Sequence, residues 1–79
     1  MRRKPVDSSV IAAIGYDAPR ALLEIEFRTG KVYAYSDVPP AAHEALLAAE
    51  SIGRHFNLEI RDRYDCTLVS EVRRFPHAI

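Results

Sequence analysis

Leu23-Glu-Ile-Glu-Phe-Arg-Thr-Gly-Lys-Val-Tyr-Ala-Tyr35, LEIEFRTGKVYAY, is the stretch whose reading decides the fold. Leu23, Ile25 and Phe27 alternate with Glu24, Glu26 and Arg28, the period-two pattern of a half-buried strand running from Ala21 to Arg28. Lys31 to Ser36 reads as the next strand, and the loop between them decides where Tyr33 and Tyr35 point. A two-residue turn at Thr29-Gly30 pairs Arg28 with Lys31 and sets both tyrosines beside Glu24 and Glu26, exposed. That turn demands φ > 0 at both central residues, which β-branched Thr29 resists. A three-residue loop, Arg28-Thr29-Gly30, needs positive φ only at Gly30 and pairs Phe27 with Lys31. Ile25 then faces Tyr33, Leu23 faces Tyr35, and both rings join the core side with their hydroxyls near polar partners. We expect this second register; the first makes the tyrosines a stacking platform for bases.

Outward from this hairpin, Ser9 to Tyr16 (SVIAAIGY) is a further strand candidate, joined through Asp17-Ala-Pro-Arg20, where Asp and Pro supply turn chemistry. The result is a three-stranded antiparallel meander. After Asp37 the period becomes helical. Pro39 and Pro40 are tolerated in a first turn, and Ala41 to Glu50 is rich in helix formers, with Ala42, Leu46 and Ala49 on one face and Leu47 widening the stripe. Ser51 has the character of an N-cap for a second helix carrying Ile52, Phe56 and Ile60 on its apolar face and Arg54, Asn57 and Arg61 elsewhere. Both helices are expected on one face of the sheet, giving an α+β fold. Cys66 to Val72 (CTLVSEV) regains strand propensity and reads as a short C-terminal strand or an extended tail.

A chain of 79 residues makes one small domain, burying only about 60% of the surface it exposes when unfolded. Residues 6–72 are expected to form it, with 1–5 and 73–79 frayed. The 11 basic and 11 acidic side chains cancel, so any basic surface must be local. A single cysteine, Cys66, rules out an internal disulfide and suits a reducing compartment. No apolar leader follows Met1-Arg-Arg-Lys4 and there is no run of about 18 apolar residues, so a cytoplasmic location is expected.

Four segments in order, SSVIAAIGYD (Ser8 to Asp17), LEIEFRTGKVYAY (Leu23 to Tyr35), VPPAAHEALLAAESIG (Val38 to Gly53) and HFNLEIRDRY (His55 to Tyr64), resemble the KTSC domain. That family is named for its place at the C-terminus of some lysyl-tRNA synthetases, and it also occurs as a free-standing bacterial protein. Its central Tyr-x-Tyr corresponds to Tyr33 and Tyr35. Thr29 stands where the family often has Asn, and His43 where it often has an aromatic residue. The resemblance implies the fold and, through the synthetase, an association with RNA.

Candidate nucleic-acid-binding residues are Tyr33 and Tyr35 for stacking and Arg54, Arg61 and Arg63 for phosphates. Arg54 and Arg61 lie seven apart, near two helical turns, and Arg63 with Arg73-Arg74 extends the stripe. Glu50, Glu59, Asp62 and Asp65 are interleaved, which also fits a solvated face of local ion pairs. Arg2, Arg3 and Lys4 form a basic arm suited to an acidic partner or to solubility. Ser8-Ser9 lacks the Gly-x-Ser-x-Gly context of a nucleophile, and Cys66 has no local motif with His43, His55 or His77. The histidines also lack metal-ligand spacing. The expectation is therefore a non-enzymatic binding module without cofactor, contacting single-stranded RNA or tRNA. A protein-docking module is the alternative, and a small hydrolase or metal enzyme comes third.

Overall fold

A computed structural model describes residues 3–71. Five strands form one antiparallel sheet in sequential order: β1 (Lys4–Pro5), β2 (Ile11–Asp17), β3 (Leu22–Phe27), β4 (Lys31–Tyr35) and β5 (Cys66–Glu71). Helices α1 (Pro40–Ala48) and α2 (Ile52–Glu59) lie between β4 and β5 in the chain. The three-stranded meander expected from the sequence is thus the centre of a larger sheet. β5 settles the C-terminal segment as a strand, and β1 takes in two residues of a start that was expected to fray. Arg2, the pair Arg73-Arg74 and the expected frayed end lie outside the described residues.

The register at the centre is the expected one. Gly30 has φ 101°, its N–H donates to the Phe27 carbonyl at 2.9 Å, and Ile25 pairs with Tyr33 and Leu23 with Tyr35. Phe27, Tyr33 and Tyr35 therefore share the face of Leu23 and Ile25, and Glu24 and Glu26 point the other way. On β2, Ile11 and Ile14 are three apart, a spacing that regular alternation sends to opposite faces. A bulge at Ala12 corrects it: Ile11 pairs with Phe27 and Ile14 with Ile25, so both enter the core. A second bulge leaves Val69 unpaired between the Val32–Ser70 and Tyr33–Leu68 pairs.

The helices cover the face bearing these apolar rows. Leu46 of α1, Phe56 of α2 and Ile60 just beyond it are buried against Leu23, Ile25 and Val38. Phe56 packs edge-on against Phe27 (5.4 Å, 70°) and Tyr35 (5.5 Å, 82°). Such T-shaped pairs add to the stabilisation given by area burial alone. Leu47 does not widen the α1 stripe; it is 46% exposed, because α1 turns only its Leu46 side to the sheet. The Asp17–Arg20 turn is a single 3₁₀ turn closed by Ala21 at φ 52°, and the Val38 N–H donates to the Ala21 carbonyl at 2.9 Å.

On the opposite face Arg3 reaches past β2 to Glu24 and Glu26, with Nη1 to Glu24 at 2.5 Å and Nε to Glu26 at 3.2 Å. Arg3 is thus committed within the fold.

Two stability effects follow. Gly30→Ala forces a side chain into a positive-φ position and is expected to cost about 1–2 kcal/mol. Ser51 caps α2 through its Oγ, which accepts the Arg54 N–H at 3.3 Å, so Ser51→Ala is expected to cost ~0.5–2 kcal/mol. Urea unfolding reads both as a lower midpoint at unchanged slope; an unchanged midpoint in either variant refutes the corresponding role.

Candidate nucleic-acid groove

The three-residue loop brings Tyr33 and Tyr35 under the C-terminal end of α2, where the helix gives way to a turn. The Arg61 N–H donates to the Phe56 carbonyl at 2.9 Å, as does that of Ile60 at 3.0 Å, so the chain tightens and bends just after Glu59. This bend carries Arg61 and Asp62 to the lip of a groove of about 500 Å³ between α2, β4 and the start of β5. Phe27, Tyr33 and Tyr35 form its sheet wall, and Asn57 stands on its helix wall. Phe27 and Tyr33 meet edge-on at 6.0 Å and stay half-buried, whereas Tyr35 is only 4% exposed.

Tyr35 is therefore a core ring with a polar tip, as the register predicts. Burial pushes its phenol above the ordinary value of 10.0; the neighbouring Cys66 thiol adds to the shift, and the Arg61 guanidinium opposes it. Arg61 itself is exposed and makes no ion pair among the described residues. It is a cation held beside aromatic rings.

The other candidate arginines are placed differently. Arg54 lines a neighbouring cavity of about 450 Å³ with Ser8, Glu50 and Asn57. Asn57 and Val10 border both cavities, so the two arginines flank a continuous strip along α2. Arg63 leaves that strip: it faces Glu59 at 3.7 Å on the exposed turn beyond the helix. The helix ends too early for the expected stripe to include it. Arg3 is removed from any partner role by Glu24 and Glu26.

Two cations escaped the sequence reading. Arg28 and Lys31 border a third cavity of about 380 Å³ with Phe27 and Tyr33, and it meets the main groove at those two rings. Arg28 is fixed there, its Nε donating to the Ser8 carbonyl. The signal was their position on either side of the hairpin loop, next to the ring-bearing face. Ser8 has a local task as well, since its Oγ accepts the N–H groups of Val10 and Ile11 at 3.2 Å each. Far from the groove, His43 stacks on Tyr16 at 4.4 Å, and burial lowers its pKa.

A helix-covered antiparallel sheet with a central Tyr-x-Tyr defines a small α+β domain class, and residues 7–64 match the KTSC domain family. The chain belongs to that family. It is 47% identical over 57 residues to an uncharacterised protein of Stutzerimonas stutzeri, covering 72% of this chain and 80% of that one. A crystal structure of a KTSC domain protein from Yersinia pestis superposes with a TM-score of 0.85 at 40% identity, covering 87% of this chain and 97% of that one. A lysine–tRNA ligase of Nostoc punctiforme is 41% identical over 58 residues, 73% of this chain but 10% of the ligase. Among the described residues no helix is long and apolar enough to cross a membrane.

The Tyr35 shift fixes a pH response. A phenol whose native pKa is raised binds more protons in the folded state, so its contribution is complete below pH 10.0 and is lost as pH rises above that value. Tyrosinate absorbance should show one of the four tyrosines titrating late, and Tyr35→Phe should remove that component. A late component that persists in Tyr35→Phe assigns it to another ring.

Proposed function

We propose that this domain is a cytoplasmic, non-enzymatic module that binds single-stranded RNA, tRNA included, in the groove between α2 and β4. The observation carrying this reading is Arg61: an exposed guanidinium with no carboxylate partner among the described residues, beside the half-buried rings of Tyr33 and Phe27. Base–aromatic stacking contributes about 1–3 kcal/mol per base and tolerates any sequence, and unpaired cations along the strip attract phosphate. Arg54 at one end and Lys31 at the other extend the track. Residues Arg28 and Tyr35 support the site, the first as a fixed cation and the second as a buried ring of the same sheet wall. The ligase of Nostoc punctiforme, an enzyme whose name ties it to tRNA, contains a similar segment, which adds support.

With few phosphates neutralised, binding should be modest, with a logarithmic salt slope of about 0.7 per contacted phosphate on a single strand. Titration of the protein with single-stranded RNA and tRNA at two salt concentrations measures it. The double variant Arg54→Ala/Arg61→Ala should bind more weakly with a slope lower by about 1.4. Both side chains are exposed, so circular dichroism of the variant should match the parent. Parent-like binding by the double variant rejects this surface, and no binding at low salt transfers preference to docking of a protein.

A further inference from the structure

Arg61 and Asp62 are sequence neighbours of opposite charge, yet no ion pair joins either to the other or to any described residue. Both line the groove of about 500 Å³ that holds Tyr33 and Phe27. An unpaired guanidinium there suits phosphate. An unpaired carboxylate does not, because it repels every phosphate that approaches; its place in a nucleic-acid groove is opposite a base edge that carries hydrogen-bond donors.

The four bases differ sharply in what they offer such a pair. Guanine presents two adjacent donors, N1–H and the N2 amine, matched to the two oxygens of a carboxylate. Its O6 and N7 acceptors lie alongside, matched to the fork of an arginine. Cytosine and adenine offer a single exocyclic amine next to an acceptor that faces the carboxylate unfavourably. Uracil sets one N–H between two carbonyls. A site with one carboxylate and one guanidinium on the same lip therefore favours guanine over the other three.

We propose that the groove is a guanine-selective single-base site, an inference that rests on the RNA reading above. The base lies against Tyr33 and Phe27, the Asp62 carboxylate accepts from N1–H and N2–H, and the Arg61 guanidinium donates to O6 and N7. At a guanine, phosphate attraction then falls to the outlying Arg54 and Lys31, whereas beside any other base Arg61 meets phosphate itself.

The test compares fluorescently labelled decauridine with the same strand carrying one central guanosine, adenosine, cytidine or inosine. The guanosine strand should bind about tenfold tighter than the adenosine, cytidine and all-uridine strands. Inosine, which lacks the N2 amine, should fall between. Asp62→Asn should abolish the preference while leaving binding to decauridine equal or stronger, since a negative charge is removed. Arg61→Lys keeps the charge without the fork, and should lose the preference at an unchanged salt slope. Equal binding of all strands by the parent, or a preference that survives Asp62→Asn, overturns guanine selection and leaves RNA binding standing. Absence of binding to every strand overturns both. Guanosine monophosphate that competes as well as the guanosine strand assigns the groove to free nucleotide and overturns its assignment to RNA.

Discussion

The pairing of β3 with β4 through Gly30 places Phe27, Tyr33 and Tyr35 on one face, and α2 can pack only if they are there. Phe56 enters between Phe27 and Tyr35 with both rings edge-on. A slip of one residue in this hairpin sends Tyr33 and Tyr35 to the other face, beside Glu24 and Glu26, and takes away the Tyr35 ring against which Phe56 packs. The candidate groove inherits its geometry from the same pairing. Its sheet wall is the exposed flank of that row, and its helix wall is the polar side of α2 beyond Phe56.

The other face obeys a different rule. Glu24 and Glu26 alternate outward in β3, and Arg3, just before the edge strand β1, spans both. Charge-assisted pairs of this kind, partly shielded from water, bind the N-terminal segment to the sheet more firmly than an exposed pair does. Electrostatics therefore divides the molecule's basic residues into two populations. Arg3, Arg20 and Arg63 face carboxylates within the fold, whereas Arg61 and Arg54 have no carboxylate partner among the described residues. Neutral net charge concealed this division, because equal totals say nothing about which charges are neighbours.

Local rules made much of the molecule legible in advance. Alternation in β3, the reluctance of Thr29 to take positive φ, prolines at the start of α1 and the Ser51 cap each involve residues within a turn of one another, and each holds in the structure. The Tyr33 and Tyr35 placement was readable for the same reason. Leu47 was misassigned because helical spacing identifies an apolar stripe without saying how wide a contact the sheet offers.

The central meander, its register, the two helices and the family were legible in the chain alone. All of these depend on short-range sterics and on hydrophobic period, which a single chain displays openly. Tertiary structure alone decided the rest. It added β1 and β5 at the sheet edges, the bulge at Ala12 that turns Ile11 and Ile14 to one side, and the clamp of Arg3 on Glu24 and Glu26. It also separated Arg63 from Arg61 and brought Asp62 to the aromatic groove. The β4–β5 pairing and the Arg3 clamp join residues far apart in sequence, as Tyr35 and Cys66 or Arg3 and Glu24 are. Their energy exists only once the intervening chain has folded, so no local pattern records it.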